Sequence, residues 1–75
     1  MTKHRILIVD DDANARKILS GILRAEGYTA TATATGKIAL DLIKIETPAI
    51  ALVDLNLTDM PGLEVLRETK QVSPD

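Results

Sequence analysis

The sequence predicts an α/β fold built on a parallel sheet, and three observations support this. Two short uncharged runs, Ile6-Leu7-Ile8-Val9 and Ala49-Ile50-Ala51-Leu52-Val53, lack polar alternation, as strands buried on both faces do. Each run ends in carboxylates: Asp10, Asp11 and Asp12 follow the first, and Asp54 follows the second. Segments with apolar residues at helical spacing separate and follow the strands. The order is therefore β-α-β-α-β-α, which argues for βαβ units.

The first strand is expected over Arg5–Val9, with Asp12 able to cap the helix after it. From Ala13 to Glu26, Ala15, Ile18, Leu19, Ile22 and Leu23 recur at helical spacing, and Gly27 is a good residue to end the turn. Tyr28 to Ala34 reads YTATATA, a strict alternation that fits a strand at a sheet edge with one face less buried. Thr35 is placed to cap a second helix, Lys37–Glu46, whose apolar positions are Ile38, Ala39, Leu42, Ile43 and Ile45. Thr47-Pro48 ends it, because proline disfavours helix at the preceding residue. Ala49–Val53 is the third strand and Leu55–Met60 a loop. Pro61-Gly62 opens a third helix carrying Leu63, Val65, Leu66 and Thr69 to about Gln71. Val72 to Asp75 is a polar tail.

Bulk properties narrow the function. The chain has 75 residues, at most one small domain, and marginal stability is expected at that size. Hydrophobic residues make up 45% and charged residues 27%, so extensive disorder is not expected. There is no cysteine, which rules out disulfides and thiolate metal sites. The apolar runs are too short to span a membrane, and no secretory signal is visible, so a cytoplasmic location is expected. The net charge is −2, the basic residues are scattered and Tyr28 is the single aromatic, so direct nucleic-acid binding is not expected.

The carboxylates point to chemistry. In open parallel α/β sheets, ligands bind at the carboxyl ends of strands where the strand order reverses. Right-handed crossovers can place the first and third strands side by side, with the second outside the first. Asp10, Asp11 and Asp54 would then converge on one crevice. Clustered carboxylates without His or Cys suit a hard cation, Mg²⁺ in particular. A carboxylate beside such a cation can attack phosphorus and form an aspartyl phosphate. For Asp12 the preferred reading is a helix cap.

These features resemble the response-regulator receiver domain of two-component signalling. RILIVDDD (residues 5–12) resembles its first strand and acidic pair. YTATATATGKIALDLI (28–43) resembles its second strand and helix, and PAIALVDLNLTDMPGLEVLR (48–67) its phospho-acceptor strand, loop and following helix. The resemblance implies a flavodoxin-like (βα)3 half of a doubly wound parallel sheet with strand order 2-1-3. It implies that Asp54 is the phospho-acceptor, and that Asp10, Asp11, Asp54 and the Asn56 carbonyl are Mg²⁺ ligands. A sensor histidine kinase is the implied partner, and the chain is expected to be a signalling module rather than an enzyme. Gly62 matches the glycine of the loop. Thr58 stands where the family usually has proline, and Pro61 where it often has Asp or Asn.

The family's fourth and fifth strands have no counterpart here, so residues 1–75 are expected to form three βα units of a truncated receiver domain. The Ser/Thr and Lys that end those strands are missing, and Lys44 and Lys70 lie on predicted helices remote from the crevice. Phosphorylation is therefore expected to be impaired. The third strand becomes an edge, one sheet face is covered by the first helix alone, and a homodimer through paired third strands is expected. The alternative is a non-signalling half-domain or engineered fragment that self-associates through that strand. Asp54-Leu-Asn-Leu-Thr58 is also similar to the nucleophile motif of haloacid-dehalogenase-like phosphatases, but Asn56 cannot supply that family's general acid.

Overall fold

The computed structural model describes residues 4–72, with side chains through Arg67. β1 (Arg5–Val9) is the middle strand of a three-stranded parallel sheet in the order β2-β1-β3, with β2 at Thr29–Thr33 and β3 at Ile50–Val53. The central position explains the unbroken apolar run. Ile6, Leu7, Ile8 and Val9 are each no more than 3% exposed, because strands flank both edges and helices cover both faces.

The register decides which residues share a face. Leu7 lies beside Thr31 and Ala51, and Val9 beside Thr33 and Val53. That face packs against α2 (Gly36–Glu46) and α3 (Gly62–Val72), which also pack on each other. Leu7, Val9, Ala39, Ile43, Leu57 and Val65 form its buried core, with Leu42, Val53 and Met60 packed around them. Ile6 and Ile8 point to the opposite face, with Ala30, Ala32, Ile50 and Leu52 beside them. This face has only α1 (Ala13–Ala25), which packs on β2 and β1 and does not reach β3. Ile50 and Leu52 are therefore 49% and 41% exposed.

The uncharged run of the third strand would suit burial on both faces, but it is covered on one, as expected for an edge strand whose second face has only the first helix. Several helical positions depart from their sequence pattern. Ile18, Ile22, Ile38, Ile45 and Leu63 are exposed, because each helix carries a wider apolar arc than its neighbours cover. On α1 the side turned to the sheet centres on buried Ser20 and half-buried Leu19 and Leu23. Ser20 tolerates burial because its hydroxyl donates to the Arg16 carbonyl at 2.6 Å.

The helix ends follow local chemistry. The Asp12 side chain accepts from Asn14 N at 2.9 Å, so Asp12 is the cap of α1. Its other end is a Schellman turn: Tyr28 N donates to Leu23 O and Gly27 N to Arg24 O, both at 3.0 Å, with Gly27 at φ +95°. This turn absorbs Tyr28, so β2 starts at Thr29, and it ends at Thr33 rather than Ala34. Thr35 caps α2 as expected, and the helix starts at Gly36, one residue earlier than the predicted Lys37. Thr47 leaves α2 in the left-handed region, φ 49°, rather than the extended region favoured before proline. Pro61 stands just before the first helical residue of α3 and its carbonyl accepts from Glu64 N. Val72 closes α3. The Thr69 and Lys70 side chains and the rest of the expected polar tail lie outside the described residues. Among the described residues no helix is long and apolar enough to cross a membrane.

Candidate functional site

Parallel pairing brings the acidic ends of β1 and β3 to one edge. Asp10 N donates to Thr33 O and Asp54 N to Val9 O, so the ladder runs up to both acids. Asp10, Asp11 and Asp54 each offer a carboxylate oxygen, and these oxygens lie within 4.8 Å of one another. Two ligands on opposite sides of a Mg²⁺ ion stand about 4.2 Å apart, so small side-chain adjustments would let the three share such a cation. With no nitrogen or sulfur donor in the group, a hard ion fits best.

Each carboxylate is oriented through one oxygen, leaving a second to offer. Asp12 N donates to Asp10 Oδ1 at 2.9 Å, Asn56 N to Asp54 Oδ1 at 3.0 Å, and Thr58 Oγ1 to Asp11 Oδ2 at 2.9 Å. Arg16 Nη1 donates to the Asp10 carbonyl at 2.8 Å, which ties the strand end to α1. Among the described residues no lysine or arginine pairs with the three carboxylates; the recorded ion pair is Arg67–Glu64. An open cleft of about 450 Å³ reaches the site from the α1 face, lined by Ile8, Leu19, Leu52, Asp10 and Asp54.

The loop after Asp54 is held at both ends. Asn56 bridges to Pro61, and Gly62 N donates to Leu55 O at 2.9 Å. A Cβ on Gly62 would overlap the Asp54 carbonyl and sit 2.7 Å from Leu55 Cα, so only glycine lets α3 start this close to the strand. Asp59 reaches the start of α2, where its two oxygens accept from Gly36 N at 2.9 Å and Lys37 N at 3.0 Å. Those two N–H groups hold its carboxyl below the usual carboxylate range, against an opposing desolvation effect.

Three of the four expected metal ligands are thus brought together. Asn56 lies beside them, with its N–H on Asp54. The sequence signals neither Asp59 as a second acceptor for the α2 N-terminus nor the contact that Thr58 makes with Asp11. Both contacts join residues far apart in the chain, so no local pattern signals them.

Comparison with known proteins decides the family, since the model for the response regulator receiver domain matches residues 6–75. The chain belongs to the receiver domain family. Sporulation initiation phosphotransferase F of Bacillus subtilis is 36% identical over 72 residues, covering 96% of this chain and 58% of that protein. The cell cycle transcriptional regulator CtrA of Caulobacter vibrioides is 38% identical over 63 residues, covering 84% of this chain and 27% of that protein. A CheY-like receiver domain of Methanospirillum hungatei superposes with a TM-score of 0.94 at 38% identity, covering 97% of this chain and 58% of that one. The response regulator TrrA of Thermotoga maritima, solved in complex with Mg²⁺-BeF, gives a TM-score of 0.89 at 32% identity, covering 97% and 63%. This receiver chain therefore spans little more than half the length of such relatives, or less. The 2-1-3 parallel order agrees with the flavodoxin-like fold expected of the family, a family of signalling modules that bind Mg²⁺ at an acidic cluster.

Proposed function

We propose that this chain is the phospho-accepting module of a two-component response regulator, with Asp54 as the acceptor. The observation that supports this reading best is the convergence of Asp10, Asp11 and Asp54 at the carboxyl edge of neighbouring parallel strands. Asp10, Asp11, Asp54 and the Asn56 carbonyl would hold Mg²⁺, whose charge would offset that of the incoming phosphoryl group. Asp54 has two carboxylate oxygens and would give one to the cation and the other to phosphorus, with Asn56 N fixing its orientation. The new O–P bond forms as the bond from phosphorus to its donor breaks. The donor is a phosphohistidine of a sensor histidine kinase, or acetyl phosphate, and it departs with the bonding electrons.

Residues 1–75 act here as one domain of three βα units, a cytoplasmic signalling module that does not turn over a substrate and does not itself bind nucleic acid. No described lysine pairs with the acidic cluster, so transfer by this chain alone is expected to be slow. Intact-mass measurement after incubation with Mg²⁺ and acetyl phosphate tests the proposal. A single added phosphoryl group, lost in Asp54→Asn and on Mg²⁺ removal, is the expected result. Labelling that survives Asp54→Asn would refute the assignment.

The exposure of Ile50 and Leu52 on β3 supports a second reading, a non-signalling half-domain or engineered fragment that self-associates. Two β3 strands would pair antiparallel about a two-fold axis, giving the order 2-1-3-3′-1′-2′. Light scattering that finds a folded monomer at micromolar concentration would exclude it. A dimer that takes no phosphoryl label would favour it over signalling.

A further inference from the structure

Thr58 is one of two loop positions where this chain departs from the usual family residue, and the structure gives it a contact the sequence does not foretell. It lies in the loop after β3, four residues beyond Asp54, and its hydroxyl donates to Asp11 Oδ2 at 2.9 Å. Proline, the usual family residue there, has no side-chain donor. Asp11 is the exposed member of the acidic trio; Asp10 and Asp54 are half-buried and each is oriented by a backbone N–H two residues on. No such backbone donor holds Asp11 among the described contacts, so its orientation rests on the threonine.

We propose that Thr58 is a positioning residue for the cation: its hydroxyl fixes the Asp11 carboxylate with one oxygen occupied and the other turned to the metal. This rests on the metal reading of Asp10, Asp11 and Asp54. An ionised carboxylate only accepts, so the hydroxyl proton must point to Asp11. The contact also spans the cradle, joining the β3 side that carries Asp54 to the β1 side that carries Asp11. Groups that orient a metal ligand without touching the metal typically change affinity 10- to 100-fold when removed. Thr58 and Asp11 are both exposed, so the low end of that range applies.

Calorimetric titration of the full chain with MgCl₂ tests this, with circular dichroism of the metal-free protein as the folding control. Thr58→Val keeps the shape and removes the donor, and it should weaken Mg²⁺ binding about tenfold. Thr58→Ser keeps the donor and should bind within about twofold of the wild type. If Thr58→Val does not fold, Thr58→Ala replaces it with the same expectation. Unchanged affinity in the folded donor-less variant overturns the assignment of Thr58 while leaving the metal site standing. A loss that Ser fails to restore also overturns it. Failure of the wild-type chain to bind Mg²⁺ overturns the metal reading itself and the role of Thr58 with it.

Discussion

The two faces of the sheet share β1 and are finished differently. Leu7 and Val9 face α2 and α3, where Ile43 and Val65 are fully buried. Ile6 and Ile8 face α1, which covers them but stops short of β3. Along β3 the contrast falls between adjacent residues: Val53 packs against the core, and Leu52, on the other face, is left exposed. A hydrophobic strand pattern states that a surface is suited to burial. Which surface is covered depends on the helices within reach.

Four measurements test that contrast. The largest effect is expected on the closed face. Ile43→Ala should cost about 2–5 kcal/mol of unfolding free energy in urea, because it deletes fully buried atoms and leaves a cavity. In so small a chain that loss approaches the whole stability. Gly62→Ala should cost about 1–3 kcal/mol by forcing α3 away from the Asp54 carbonyl, and loss of the Gly62 amide's exchange protection would locate the damage.

Asp59→Ala should lower the melting temperature by less, through the two α2 amides left without acceptors. Its pH dependence has a definite sign. The Asp59 carboxyl is lowered in the fold from an ordinary value of 3.8. Its contribution is therefore fully present above that value and is lost as pH falls through the folded one. The gap between wild type and Asp59→Ala should be wide at neutral pH and narrow below pH 3.8. A gap that widens on acidification would contradict the arrangement.

The smallest effect belongs to the open face. Ile22→Ala, at a side chain 56% exposed, should stay within about 0.5 kcal/mol of the wild type. A loss comparable to that of Ile43→Ala would mean that the α1 face is covered in solution, and the contrast between the faces would fail.

The strand positions, the strand order and the convergence of Asp10, Asp11 and Asp54 were legible in the sequence. Strand cores here are short uncharged runs, and right-handed crossovers leave few topologies. The caps at Asp12 and Thr35 and the turn at Gly27 were legible because they depend on residues within one turn of the helix end. The exposure of Ile18, Ile22, Ile38 and Ile45 was not. Helical spacing marks an apolar arc but not the part of it that a neighbour covers. Thr58 and Asp59 were illegible for another reason: each bonds to a residue brought near only by the finished sheet.

The central place of β1 also has a consequence for the order of folding. Every ladder in the sheet includes β1, and none closes through a tight hairpin: Arg5 pairs with Thr29, and Ile6 with Ile50. The first closure spans the shorter stretch of chain, and its entropic cost is lower by roughly 0.6 kcal/mol per halving of loop length. We therefore expect β1, α1 and β2 to assemble first and β3 to dock onto their open side afterwards. Pulse-labelled hydrogen exchange during refolding should find the Asp10 amide, bonded to Thr33 O, protected before the Asp54 amide, bonded to Val9 O. The reverse order would show that the longer loop closes first. On the expected route the acidic cradle is among the last features to form, because Asp54 arrives with the strand that docks second.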